Sequence, residues 1–93
     1  GVLSAHPAVA QALTFAMPHA KLGEEVAAAV VLREGAACTE RELRDFAAQQ
    51  LADFKVPRKV LFFRDEDYAI TGNEKVKASV VKELAAARLG ITL

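Results

Sequence analysis

VAAAVVLREGAACTERELRDFAAQQL, residues 26–51, carries a strand, a turn and a helix in immediate succession. Val26 to Leu32 is a short, unbroken apolar run, the pattern of a strand covered on both faces. Arg33-Glu34-Gly35 ends it in a turn. Thr39 and Glu42 stand at the T-x-x-E spacing of a capping box, in which each side chain satisfies a free backbone N–H at a helix start. Leu43, Phe46, Ala47, Gln50 and Leu51 then recur at helical spacing, giving one apolar stripe with a polar edge.

Upstream, AVAQALTFAM at 8–17 places Val9, Gln11, Leu13, Phe15 and Met17 on one phase, with Ala10, Ala12, Thr14 and Ala16 on the other. Period two with aromatic and β-branched content predicts a strand, although the many alanines leave a helix in competition. Pro18 to Gly23 reads as loop. Downstream, Pro57 bars a helix from continuing past Val56, because the residue before proline is pushed out of the α region. Lys59 to Phe63 predicts a third strand, and Asp65 to Glu74 a polar loop. A last helix is expected from about Lys75 to Leu89, its buried stripe marked by Val80, Val81, Leu84, Ala85 and Arg88. Arg88 also suits the negative end of the helix dipole, and Gly90 a C-cap. The order is β-β-α-β-α, an α+β layout with helices packed on a small sheet of about three strands.

Ninety-three residues make one small domain, burying only roughly 60–65% of the surface of the unfolded chain. Nineteen of the apolar residues are alanine, so deep core mass must come from Leu, Val, Ile and the five Phe. Twelve basic and twelve acidic residues cancel and are interspersed, leaving no electrostatic footprint for nucleic acid or an anionic membrane. Cys38 is alone, no apolar run approaches the ~20 residues of a membrane span, and no secretory signal opens the chain. A cytoplasmic location is therefore expected. His6, His19 and Cys38 have no zinc-site spacing, and no metal site is expected. The acidic run Asp65-Glu66-Asp67 reads as a solvated loop, and no nucleophile–base pair is apparent.

Four segments, in order, resemble the C-terminal domain of the adenylate-forming superfamily. That group holds acyl- and aryl-CoA synthetases, luciferases and the adenylation domains of peptide synthetases. His6 to Leu13 matches the first eight positions of "HP-x-V-x-x-A-x-V", and Gly23 to Leu32 matches "G-E-x-x-x-A-x-V-V-L". Thr39 to Leu43 matches "T-x-x-E-L", and Leu51 to Pro57 matches "L-A-x-F/Y-K-x-P". The family closes on "P-x-T-x-x-G-K-x-x-R", which aligns with Ala69 to Ala78. Thr71 and Lys75 are in place, while Ala69, Glu74 and Ala78 replace the usual Pro, Gly and Arg.

The resemblance, closest to AMP-forming acyl- or aryl-CoA ligases, implies that residues 1–93 are the small C-terminal lid of a larger enzyme. Residues 1–93 are expected to lack the hinge and first hairpin of such lids, and the isolated chain is expected to be inactive. Its partners would be the large N-terminal adenylate-binding domain, a carboxylic acid and CoA. Its cofactors would be ATP, Mg²⁺ and CoA, none expected on this domain alone. The family's catalytic lysine falls on Lys75; by spacing alone it is one of six solvated lysines. If position 74 needs φ > 0, Glu74 there adds strain of about 1 kcal/mol or more. Phe54 would stack on the nucleotide of CoA and Arg58 would pair with a phosphate. Read without the family, they are a core ring and a strand-edge charge. Two rivals stand beside this reading: a peptide-synthetase adenylation domain, and a non-catalytic interaction or regulatory module.

Overall fold

The alanine-rich stretch after Pro7 is extended, not helical. The computed structural model, which describes residues 2–52, 55–68 and 74–93, has β1 at Val9–His19 and β2 at Gly23–Leu32. The two pair antiparallel, from Val9 opposite Leu32 to His19 opposite Gly23. β1 thus runs through Pro18, which the sequence assigned to loop. The sheet order is β1-β2-β3, so β1 is an edge strand, where a proline's missing N–H breaks no ladder. The turn shrinks to residues 20–22, and Gly23 carries the positive φ of 82° that closes it.

One irregularity overturns the simple phase of β1. Val9 pairs with Leu32 and Gln11 with Val31, leaving Ala10 as an extra residue. A bulge of this kind moves a side chain to the other face. Val9 accordingly packs with Ala28 and Val30, whereas Leu13, Phe15 and Met17 pack with Ala27, Ala29 and Val31.

β3, Lys59–Phe62, lies parallel to β2 from Ala27 opposite Lys59 to Val30 opposite Phe62. It stops one residue short of expectation, though the Phe63 N–H still donates to the Val30 carbonyl at 2.8 Å. β2 is therefore the middle strand, which accounts for its unbroken apolar text. Parallel neighbours need a crossover, and α1, Glu40–Ala48, lies within it. Its capping box forms: the Glu42 N–H donates to Thr39 Oγ1 at 3.1 Å, and the Thr39 N–H to Glu42 Oε1 at 3.3 Å. α1 ends before Gln50, which is exposed and leaves the stripe. Thr39→Ala should lower stability by about 1 kcal/mol, read as a shifted urea midpoint at constant m-value. A loss below about 0.3 kcal/mol would show that the box adds nothing beyond ordinary solvation of the helix end.

α1 and the last helix cover opposite faces of the sheet. Leu43 and Ala47 of α1 meet Leu3, Val9, Ala28, Val30 and Val60. On the other side α3, Glu74–Leu89, brings Val81, Ala85 and Ala86 against Met17, Ala27, Ala29, Val31 and Phe63. The stripe expected on α3 is rotated: Leu84 is 39% exposed and Ala86 is buried. The helix end explains the rotation. Gly90 has φ 70°, its N–H donates to Ala87, and the Ile91 N–H reaches back to Ala86 at 2.9 Å. That C-cap folds Ile91 onto the core and draws the Ala86–Leu89 edge inward with it.

The loop expected at 65–74 contains a short helix, α2, at Asp65–Tyr68. Asp67 Oδ2 accepts the Arg64 N–H at 3.0 Å, and three carboxylates sit in its first turn, at the positive end of the peptide dipoles. Residues 69–73, with Thr71 and Gly72, lie outside the described residues.

Candidate functional site

Lys75 is the second residue of α3, so its backbone sits in the helix's first turn; its side chain lies outside what the structure describes. Glu74 opens the same helix, and no described non-glycine residue has positive φ. The strain expected of a carboxylate-bearing residue in a glycine's place is therefore absent. Dipoles at a helix start favour negative charge nearby.

The far end of α3 is tied down by Arg88. Its Nη1 donates to the Phe62 carbonyl, and its guanidinium carbon stands 4.0 Å above the Phe63 ring. Nη2 lies 3.8 Å from Asp67 Oδ2 in α2. Arg88 was expected on a buried stripe; its side chain is 44% exposed and reaches sideways to the end of β3.

Arg58 occupies a different region. Pro57 before it is fully buried, and the Arg58 N–H donates to the Val26 carbonyl at 2.8 Å. Those two anchors fix where the exposed side chain leaves the sheet. It lines a shallow groove with Ala16, Leu22, Glu24, Val26 and Val56, beside the β1–β2 turn. Leu22 in that turn is exposed. Phe54, the other residue assigned to this face, lies outside the described residues. Lys75 and Arg58 thus stand on separate elements.

Sequence reasoning passed over Glu25. It is an acid inside an apolar strand, on the same phase as Ala27, Ala29 and Val31, and its side chain is only 4% exposed. Oε2 is 3.9 Å from His19 Nε2, and Oε1 is 3.8 Å from Lys59 Nζ. These are ion-pair distances, too long for hydrogen bonds, and Oε1 has no hydrogen-bond partner. His19 Nδ1 accepts the Lys21 and Leu22 N–H groups at 3.1 and 3.0 Å, leaving its Nε2 for Glu25. The cluster ties the β1–β2 turn to the start of β3. The signal was in the sequence: a carboxylate on a buried phase needs a cation nearby.

His6 is structural as well. Its Nδ1 accepts the Ala8 N–H at 3.1 Å, and its ring meets Phe46 edge-on with centroids 4.8 Å apart. Partial burial, then the Glu42 carboxylate, push the Cys38 thiol up, against a smaller opposing effect of the Thr39 backbone. A thiol so raised is a poor nucleophile. Among the described residues, no three His, Cys, Asp or Glu side chains are grouped to hold a metal ion, and no helix is long and apolar enough to cross a membrane.

Residues 1–75 match the AMP-binding enzyme C-terminal domain. The chain is 38% identical to an oxalate–CoA ligase of Arabidopsis thaliana over 82 residues, which cover 88% of this chain and 16% of that one. Among solved structures it is similar to the amide bond synthetase McbA of Marinactinospora thermotolerans, with TM-score 0.64 and 41% identity over 68% of this chain and 13% of that one. It is also similar to ATP-bound MatB of Rhodopseudomonas palustris, with TM-score 0.70 and 31% identity over 89% of this chain and 17% of that one. The chain thus spans 13–17% of the length of these proteins.

Proposed function

The chain belongs to the AMP-binding enzyme C-terminal domain family, and on that premise we propose that it is the mobile lid of an ATP-dependent acid–thiol ligase. In this reading Lys75 serves acyl-adenylate formation, and a second face, with Phe54 and Arg58, serves thioester formation. The observation that carries it is the extent of the family match, which covers residues 1–75. The oxalate–CoA ligase and the ATP-bound MatB among its likenesses favour CoA and ATP as co-substrates.

The chemistry makes plain why a small domain should lend one cation. A carboxylate oxygen attacks the α-phosphorus of ATP, a P–O bond forms, and the bond to pyrophosphate breaks. Two anions must approach while negative charge spreads over the phosphoryl oxygens. A lysine bonding both the carboxylate and the α-phosphate lowers that barrier by positioning and charge stabilisation. Its compact charge on a long stem suits the task. The thiol of CoA then attacks the acyl carbon, and AMP leaves. Mg²⁺ would neutralise charge on the triphosphate; no described carboxylate cluster fits it, and this domain's steps do not run through it. Alone, the domain lacks the nucleotide and acyl pockets and is inactive. The reading keeps the parent in the cytoplasm as a proposal; Cys38 is a free thiol, which suits a reducing compartment.

Arg58 supplies the test. In the intact parent, Arg58→Ala should raise KM for CoA roughly tenfold, the low end for a hydrogen bond to a charged group at an exposed site. Acyl-AMP formation, followed by pyrophosphate release, should stay within about twofold, since the two half-reactions use different faces. Equal damage to both would make Arg58 a structural residue. A second reading comes from the likeness to McbA: the acyl group would pass to an amine, and supplying CoA beside a panel of amines separates the two by product.

A further inference from the structure

We propose that Arg88 is a positioning residue for acyl-adenylate formation, fixing the tilt of α3 on the sheet and through it the place of Lys75. The proposal rests on the reading of Lys75 given above. The inward face of α3 is shallow: among its described residues Val81, Ala85 and Ala86 are buried, Leu89 is partly buried, and Leu84 turns outward. Apolar contact between small side chains is non-directional and lets a helix tilt or slide at little cost. Arg88 makes one hydrogen bond, to the Phe62 carbonyl, and stacks on the Phe63 ring face, with an ion pair to the Asp67 carboxylate beside them. They tie α3 to the end of β3 and to α2, the elements that precede the 69–73 segment. A planar guanidinium can stack on a ring while its edge donates a hydrogen bond, which an ammonium cannot.

The lever is long. Arg88 and Lys75 are thirteen residues apart on α3, about 20 Å at 1.5 Å per residue. A tilt of about 3° at the anchored end moves the other end by about 1 Å over that length. Misplacement of about 1 Å by a remote change can cost up to about a hundredfold in rate. Arg88 therefore acts on the reaction only through Lys75.

The experiment uses the intact parent enzyme and both half-reactions. Arg88→Ala should lower kcat for acyl-AMP formation about tenfold or more, with KM for ATP and acid within about twofold. Thioester formation from pre-made acyl-AMP should stay within about twofold of wild type. Added to Lys75→Ala, Arg88→Ala should slow adenylation by less than about twofold further, because two residues acting as one unit are not additive. Full additivity, or equal loss of both half-reactions, overturns the proposal. If Lys75→Ala is crippled while Arg88→Ala is not, the positioning role fails and the lysine's role stands. If Lys75→Ala itself leaves adenylation intact, both fall. Should Arg88→Ala not fold, Asp67→Asn decides: it removes the charge facing Arg88 but keeps an oxygen for the Arg64 N–H. Adenylation two- to fivefold slower is expected there, as a roughly one-contact loss; wild-type adenylation overturns the proposal.

Discussion

Lys75→Ala in the intact parent should slow acyl-AMP formation from acid and ATP by about two to three powers of ten, the usual effect of removing one preorganised charge-stabilising group. The same variant should convert pre-made acyl-AMP to thioester at close to the wild-type rate, because the proposed lid rotates between half-reactions and carries Lys75 away. That split is the informative part, since a folding defect would depress both steps alike. Glu74 sharpens the test. The residue begins α3 in helical backbone, so the cost of having no glycine there is electrostatic rather than conformational. Glu74→Gly should therefore keep or raise the adenylation rate if its carboxylate competes with the substrate anions for Lys75. Adenylation by Lys75→Ala within about twofold of wild type, far short of such a group's usual effect, would refute the catalytic role. The chain would then be a structural member of its family, in line with the replacements at Ala69, Glu74 and Ala78.

What could be read from the sequence was what short-range rules control. The capping box at Thr39 and Glu42 is a four-residue device, and it forms as written. The Val26–Leu32 run announced a strand buried on both faces, and β2 has neighbours on both edges and helices on both sides. What failed depends on long-range pairing. The bulge at Ala10 exists only relative to β2, so period two along β1 alone assigns Val9 to the wrong face. The face of α3 was misjudged because alanines give almost no amphipathic contrast, leaving Leu84 as a misleading marker. Pro18 was read as loop because the sequence does not tell an edge strand from a central one. Of the candidate site, the family motif supplied Lys75, Phe54 and Arg58, and the structure shows an exposed, backbone-anchored Arg58. The paired Glu25 and the triple contact of Arg88 needed the fold, since their partners come from distant segments.

Leu43→Ala should cost about 3 kcal/mol of stability, the second largest effect expected here and one that needs no enzyme to measure. Leu43 is fully buried on α1 and is among the largest side chains wholly inside the domain. Its neighbours include Ala28, Ala47 and Val30, on a strand and a helix whose backbones are held by hydrogen bonds. Small residues on fixed backbones have no side chain to swing into a void, so the cavity should persist and the cost should exceed simple transfer of the lost methyl groups. A chain of this length has a total margin of about 5–14 kcal/mol at the usual 0.05–0.15 kcal/mol per residue, so the change removes a large part of it. Leu84→Ala is the internal control, because the same chemical truncation on the exposed side of α3 should stay within about 0.5 kcal/mol. Urea unfolding of both variants at constant m-value checks the pair. If Leu84→Ala cost as much as Leu43→Ala, the inward face of α3 would be the Val80–Leu84 stripe read from the sequence. The lever that joins Arg88 to Lys75 would then be seated on the sheet by a large leucine, and Arg88 would lose its claim to set the tilt.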